Sequence, residues 1–169
     1  MGSKKRLVLY YPQQIDDTRG KPYSKDLLPL SLLTIASHPA LEGYEVVLID
    51  GGLYRQDEAH RRVLAACEGA LLYATTGILG HQVLDGFHCS RKVKARFPEL
   101  PAFIGGWFAS TAPRMQLETG LYTAVAIGQG EITFRDLVHA VEAGASLETI
   151  PGLALWREGD VVFTPPRSV

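Results

Sequence analysis

The chain has 169 residues, 46% hydrophobic and 21% charged, with 17 basic against 18 acidic side chains and a formal net charge of −1. This length suits one folded domain, and the even charge balance argues against a polyanion such as nucleic acid as partner. No apolar run reaches the roughly 18 residues of a membrane span, and Cys67 and Cys89 make neither a disulfide framework nor a metal motif.

The start, Met1–Arg6, lacks the apolar core of a signal peptide, so a reducing cytoplasm is the expected setting. Leu7–Tyr11 is a continuous apolar run stopped by Pro12, the pattern of a buried parallel strand. The polar segment Gln13–Asp26 follows, and a connection of that length is uncommon unless it serves a function or moves. Leu27–Ser37 reads as a helix with Pro29 in its first turn and Leu30, Leu33 and Ser37 along one face. Tyr44–Ile49 is the second strand, and Arg55–Glu68 the second helix, with Ala59, Val63, Ala66 and Cys67 inward and Gly69 closing it.

Ala70–Ala74 is the third strand, running into Thr75-Thr76-Gly77. Leu79, Val83 and Phe87 open a long helix that Pro98 ends. Ala102–Ile104 is a short fourth strand that stops at Gly105-Gly106, and Pro113–Glu118 is a helix leading to the fifth strand, Thr123–Ile127. The last helix starts after Gly130, with Phe134, Leu137, Val138 and Val141 at helical spacing and Gly144 at its end. Leu153–Arg157 and Val161–Thr164, joined by Glu158-Gly159-Asp160, read as a β-hairpin.

This alternation predicts an α/β fold: a five-stranded parallel sheet with helices on both faces, flavodoxin-like (Rossmann-like) in its 2-1-3-4-5 order, plus a C-terminal β-hairpin. Residues 1-150 are expected to form the α/β domain and residues 151-169 the hairpin and a linker. In such a sheet, ligands bind beyond the carboxyl ends of the strands. That edge should gather the first loop, Thr75-Thr76-Gly77, Gly105-Gly106-Trp107 and Gly128-Gln129-Gly130-Glu131. Glycine lets a bulky ligand approach the main chain, and the amides opening the last helix suit hydrogen-bond acceptors.

Several occupants lack their residues. The position after the first strand reads Tyr11-Pro12-Gln13-Gln14, not the glycine pattern of a dinucleotide site, and no phosphate-binding loop with Lys-Ser/Thr is present. A phospho-accepting receiver needs an acid after the first strand and a lysine where Gln129 stands, and Ser110 lies outside a nucleophile elbow. His38, His60, His81, His88 and His139 have no metal spacing, although His81 follows Gly80 near the expected ligand edge. No catalytic or metal-ligating residue is expected.

The chain resembles the cobalamin-binding domain found N-terminal to radical S-adenosylmethionine domains. The likeness rests on Phe103–Ser110, Pro113, Ile127–Glu131 with Thr133, Phe134 and Leu137, Ile150–Leu153, the Gly159 hairpin and Pro165–Arg167. Leu28–Leu33 and Gly43–Val46 match the family's start. The resemblance implies a corrinoid over the carboxyl edge with its nucleotide tail among the loops. Thr75, Thr76, Gly77, Gly105, Gly106, Trp107, Gly128, Gln129, Gly130 and Glu131 would bind this cofactor.

Methionine-synthase-like relatives carry Asp-x-His-x-x-Gly after the first strand, whereas this loop holds Asp16-Asp17-Thr18-Arg19-Gly20. The resemblance therefore implies base-off cobalamin with no histidine lower ligand from that loop. Cys-x-x-x-Cys-x-x-Cys occurs nowhere, so S-adenosylmethionine and an iron–sulfur cluster would belong to a downstream domain. The family's cluster domain begins shortly after the hairpin, where Val169 ends, which implies a front module, non-catalytic alone, of an enzyme of methyl transfer or ring formation. The expected partner is that radical domain of the same parent chain. Two alternatives remain: a free-standing nucleotide- or sugar-nucleotide-binding module, and a docking module without a cofactor.

Overall fold

Apolar runs become strands and amphipathic stretches become helices in the computed structural model, which describes residues 5–16, 21–22 and 28–167, with only the backbone at 15, 16, 21 and 22. The strands and first helices are β1 (Arg6–Tyr11), β2 (Ile15–Asp16), β3 (Lys21–Pro22), α1 (Leu30–Leu41), β4 (Glu45–Asp50), α2 (Gln56–Cys67), β5 (Leu72–Thr76) and α3 (Gly80–Arg96). They continue as β6 (Ala102–Gly105), α4 (Trp107–Thr111), α5 (Pro113–Leu117), β7 (Ala124–Ala126), α6 (Glu131–Ala143), β8 (Leu153–Arg157) and β9 (Asp160–Phe163).

The main sheet runs β4-β1-β5-β6-β7-β8-β9. Its first five strands are parallel, in the expected order, with β1 flanked by β4 and β5. The expectation of a five-stranded parallel sheet is corrected in number and sense: seven strands form one mixed sheet, because β8 pairs antiparallel with β7 and β9 with β8. The hairpin joins the sheet because β8 is apolar on both faces. Leu153 and Leu155 are buried in one core layer and Ala154 in the other. Without β8, the short β7 would leave its edge open.

Helices α1 and α6 cover one face, where Leu7, Leu9, Leu32, Leu72, Phe103 and Leu137 interlock. The opposite layer joins α2 and α3 to Val8, Tyr10, Tyr73, Ile104 and Val125, and extends to Ala109 of α4 and Leu117 of α5. Cys67 and Cys89 are both buried there, and burial pushes the Cys67 thiol up to about 12.

Three local expectations change. Helix α1 continues to Leu41 through Pro39, which is buried near the C-terminal end, where one missing amide bond disturbs little of the ladder. Its buried face is Leu32, Ala36 and Pro39 rather than Leu30, Leu33 and Ser37. In α3 the inward residues are Gln82, Asp85, Gly86, Cys89, Ser90 and Val93, while Leu79 is exposed. Of the long polar connection, β2 and β3 form a small antiparallel pair, and the Asp17–Gly20 stretch lies outside the described residues. No helix among the described residues is long and apolar enough to cross a membrane.

Candidate functional site

Because β1, β4, β5, β6 and β7 are parallel, all their exits emerge at one edge of the sheet. The β5 and β6 exits are stitched together: the Gly77 amide donates to the Gly105 carbonyl at 3.3 Å, and the Phe108 amide to the Gly77 carbonyl at 3.2 Å. Ser110 joins the β6 and β7 exits, with its Oγ accepting from the Gly128 amide at 3.1 Å. Sequence reasoning gave Ser110 no positive role, since the helix that carries it, α4, is only five residues long.

Next to these exits a cavity of about 240 Å³ opens between α1 and α6. Leu32, Ile35, Ala74, Phe103, Phe134 and Leu137 give it an apolar lining. Polar groups at the site are Ser31 and Thr34 of α1, Thr75 and Thr76 of β5, and the Gly128–Glu131 turn. Two of the hydroxyls are already engaged within the sheet: Thr75 Oγ1 donates to the Tyr10 carbonyl at 3.0 Å, and Thr76 Oγ1 faces the Gly105 carbonyl at 3.4 Å. Helix α6 begins at this lining with Gly130 as N-cap and no side-chain cap, so its first amides are free to meet an acceptor.

Of the sequence-predicted site residues, Thr75, Thr76, Gly105, Gly106, Gly128, Gln129, Gly130 and Glu131 line this single cavity. Gly77 and Trp107 do not line it; Gly77 stitches the two exits, and Trp107 stands at the start of α4, 65% exposed. The two members of the glycine pair differ. At Gly106, φ is +94° and a Cβ would lie 2.5 Å from Thr76 Oγ1 and 2.9 Å from the Gly77 carbonyl. At Gly105 the nearest atom, Ala126 Cβ, would be 3.6 Å away, an ordinary contact.

Leu28, Leu30, Leu53, Ile78, Leu79 and Trp107 are all exposed on the segments at this same edge. These side chains form an apolar collar along the edge that is available to a ligand or a partner. Among the described residues no group of three or more His, Cys, Asp or Glu is placed to hold a metal ion. Arg167 returns the chain to this region: its Nε donates to Thr133 Oγ1 at 2.9 Å in the first turn of α6, and its Nη2 to Asp136 Oδ2 at 2.6 Å.

On the other face of the sheet lies a buried polar cluster that the sequence did not announce. Asp85 of α3 accepts hydrogen bonds from Tyr10 Oη, the Gln13 amide, Gln56 Nε2 and His60 Nε2, at 2.5, 2.7, 2.7 and 2.8 Å. Burial would push its carboxyl up, but bonds from His60, Tyr10, Gln13 and Gln56 outweigh burial and hold it below the ordinary carboxylate value. The one signal available was an acid in phase with Cys89 and Val93 on the same helix. His81, half-buried, turns Nδ1 toward the Gln13 carbonyl at 3.2 Å.

No family model matches the sequence, and no curated protein matches it. Solved structures do match. TsrM, a radical S-adenosylmethionine methyltransferase from Kitasatospora setae with cobalamin and a 4Fe–4S cluster bound, superposes with a TM-score of 0.80 at 21% identity. That match covers 98% of this chain and 30% of TsrM. OxsB, a cobalamin-dependent S-adenosylmethionine radical enzyme with aqua-cobalamin bound, superposes with a TM-score of 0.80 at 18% identity, over 99% of this chain and 23% of OxsB. The chain thus spans less than a third of the length of either. Its fold is one that both enzymes contain as one segment of a longer chain.

Proposed function

We propose that the chain is a cobalamin-binding module of a cobalamin-dependent radical S-adenosylmethionine enzyme and has no catalytic residue of its own. The observation that carries this reading is the cavity between α1 and α6, apolar in its lining, bordered by uncapped amides and set within an exposed apolar collar. A corrinoid with a nucleotide tail matches that chemistry. Its aromatic base suits Phe103, Phe134 and Leu137, its tail oxygens suit the uncapped amides that open α6 after Gly130, and the broad ring suits the collar with Trp107. Gly106 keeps the main chain bare beside the tail, and Gly77 holds the neighbouring exits in register.

With its base in the cavity the cofactor would be held base-off, and the Asp16–Gly20 stretch has no histidine that would replace the base. The bound group would supply cobalt-centred group transfer; this chain's residues bind it, orient it and shield its tail from water. S-adenosylmethionine and the iron–sulfur cluster belong, in this reading, to a radical domain of the same parent chain, performing methyl transfer or ring formation. Support for that partner comes from TsrM and OxsB, in which the matched segment is part of a longer chain. Residues 1-150 would carry the cofactor, with 151-169 leading toward that domain.

The test is titration of hydroxocobalamin into the purified chain, followed by gel filtration and a visible spectrum of the protein peak. Corrinoid bands that co-elute in a one-to-one ratio are expected. A colourless peak at micromolar protein, together with retention of a nucleoside diphosphate or sugar nucleotide, would replace this reading with the nucleotide-binding one.

A further inference from the structure

We propose that Asp85 is the positioning residue of the carboxyl edge: its carboxylate fixes the turn by which the chain leaves β1, and thereby the surface beside the cavity on which a ligand rests. Only the identity of that ligand depends on the cobalamin reading. Asp85 has no exposure to solvent, and each of its oxygens takes two bonds. Oδ2 receives Tyr10 Oη and the Gln13 amide, and Oδ1 receives Gln56 Nε2 and His60 Nε2. These donors come from β1, from its exit and from α2, so one anion on α3 ties three segments together.

The turn is gripped from other sides as well. A Cβ at Gly51, just after β4, would lie 2.8 Å from the Gln13 nitrogen and 3.0 Å from Tyr10 Oη. A Cβ at Gly86 would lie 3.1 Å from Pro12 Cγ. Gln13 Nε2 donates to the Tyr54 carbonyl at 3.3 Å. The link to the cavity runs through Tyr10, whose hydroxyl is on Asp85 and whose carbonyl receives the hydroxyl of the cavity residue Thr75.

An apolar residue at position 85 would satisfy packing at less cost than a buried ion, so a carboxylate there is better explained by the geometry it imposes than by stability alone. Exposed Lys92 completes the arrangement, with Nζ 2.9 Å from His60 Nδ1. An ammonium has only donors, so His60 accepts on Nδ1 and keeps its proton on Nε2 for Asp85. Among the described residues the titratable groups set around Asp85 are Tyr10 from β1, His60 from α2 and Cys89 from α3 itself, with Lys92 of α3 behind His60.

The test reads two quantities in the chain and in Asp85→Asn, which keeps the shape but turns one acceptor into a donor. The first is the hydrogen-exchange protection of the Gln13 amide without ligand; the second is the dissociation constant for hydroxocobalamin. Protection at Gln13 is expected to fall at least tenfold in the variant, with the Leu9 and Val125 amides unchanged, and the dissociation constant to rise at least tenfold. Tyr10→Phe, which removes one donor and leaves the ring packed, serves should Asp85→Asn not fold. Losing that donor raises the carboxyl's folded pKa, so acid loss of Gln13 protection should begin at a higher pH than in the parent chain.

Unchanged Gln13 protection in Asp85→Asn, or an unmoved acid midpoint in Tyr10→Phe, overturns the positioning role. So does a loosened turn with an unchanged dissociation constant. If the parent chain itself binds no hydroxocobalamin, the proposed function falls, and Gln13 exchange alone then decides whether Asp85 holds the turn.

Discussion

At Gly106 and Gly105, neighbouring identical residues face opposite constraints. Gly106 combines a left-handed φ with contacts that no Cβ tolerates, so Gly106→Ala should destabilise the chain by about 1–3 kcal/mol through backbone strain, with steric cost on top. Gly105→Ala has room and an ordinary φ, and should be neutral or stabilising by up to about 1 kcal/mol through a stiffer unfolded chain. Urea unfolding of both variants checks the contrast; equal losses would contradict it. The sequence showed that glycine was wanted near this turn but not which of the two was indispensable. The difference depends on Thr76 and Gly77, which reach Gly106 only through the pairing of β5 with β6. Asp85 was invisible for a related reason. Its phase with Cys89 and Val93 hints at burial, but the donors that meet it come from β1 and α2, which the chain brings to α3 only on folding.

Helices α2 and α6 showed most of their inward faces in the sequence: the spaced apolar residues Ala59, Val63 and Cys67 are buried in the first and Phe134, Leu137 and Val138 in the second, alongside polar His60 and Thr133. Helices α1 and α3 did not. Leu30, Leu33 and Leu79 mimic a core stripe, yet they are exposed near the carboxyl edge, and in α3 polar Gln82, Asp85 and Ser90 point inward. Such a reversal of phase marks function: an apolar residue kept outside fits a ligand or a partner. The hairpin was legible as a hairpin but not as part of the main sheet. A chain ended after Ile150 would lose Leu153, Ala154 and Leu155, all buried to within 1%. Burying each leucine is worth about 1.5–3 kcal/mol, and the loss would take much of the roughly 5–15 kcal/mol that holds a domain together. The shortened chain is therefore expected to be unfolded or aggregated by circular dichroism and light scattering. A cooperative thermal transition within a few degrees of that of the 169-residue chain would show that the hairpin is dispensable.

For the whole molecule, a ligand that engages only the folded chain must raise its stability by mass action. Hydroxocobalamin at a hundred times its dissociation constant should add about 2.7 kcal/mol, a rise in Tm of roughly 5–10 °C for a chain of this size. A Tm that ignores hydroxocobalamin at every concentration would count against a binding module. The α/β class, the order of the first five strands and the gathering of three loops at one edge followed from the sequence by itself. Apolar periodicity and right-handed crossovers are local rules that leave few topologies. The seven-stranded mixed sheet, the cavity between α1 and α6, the outward turn of the apolar collar and the Asp85 anchor were decided only by tertiary structure. Each depends on which side chains meet across elements distant in sequence, and no local pattern encodes that.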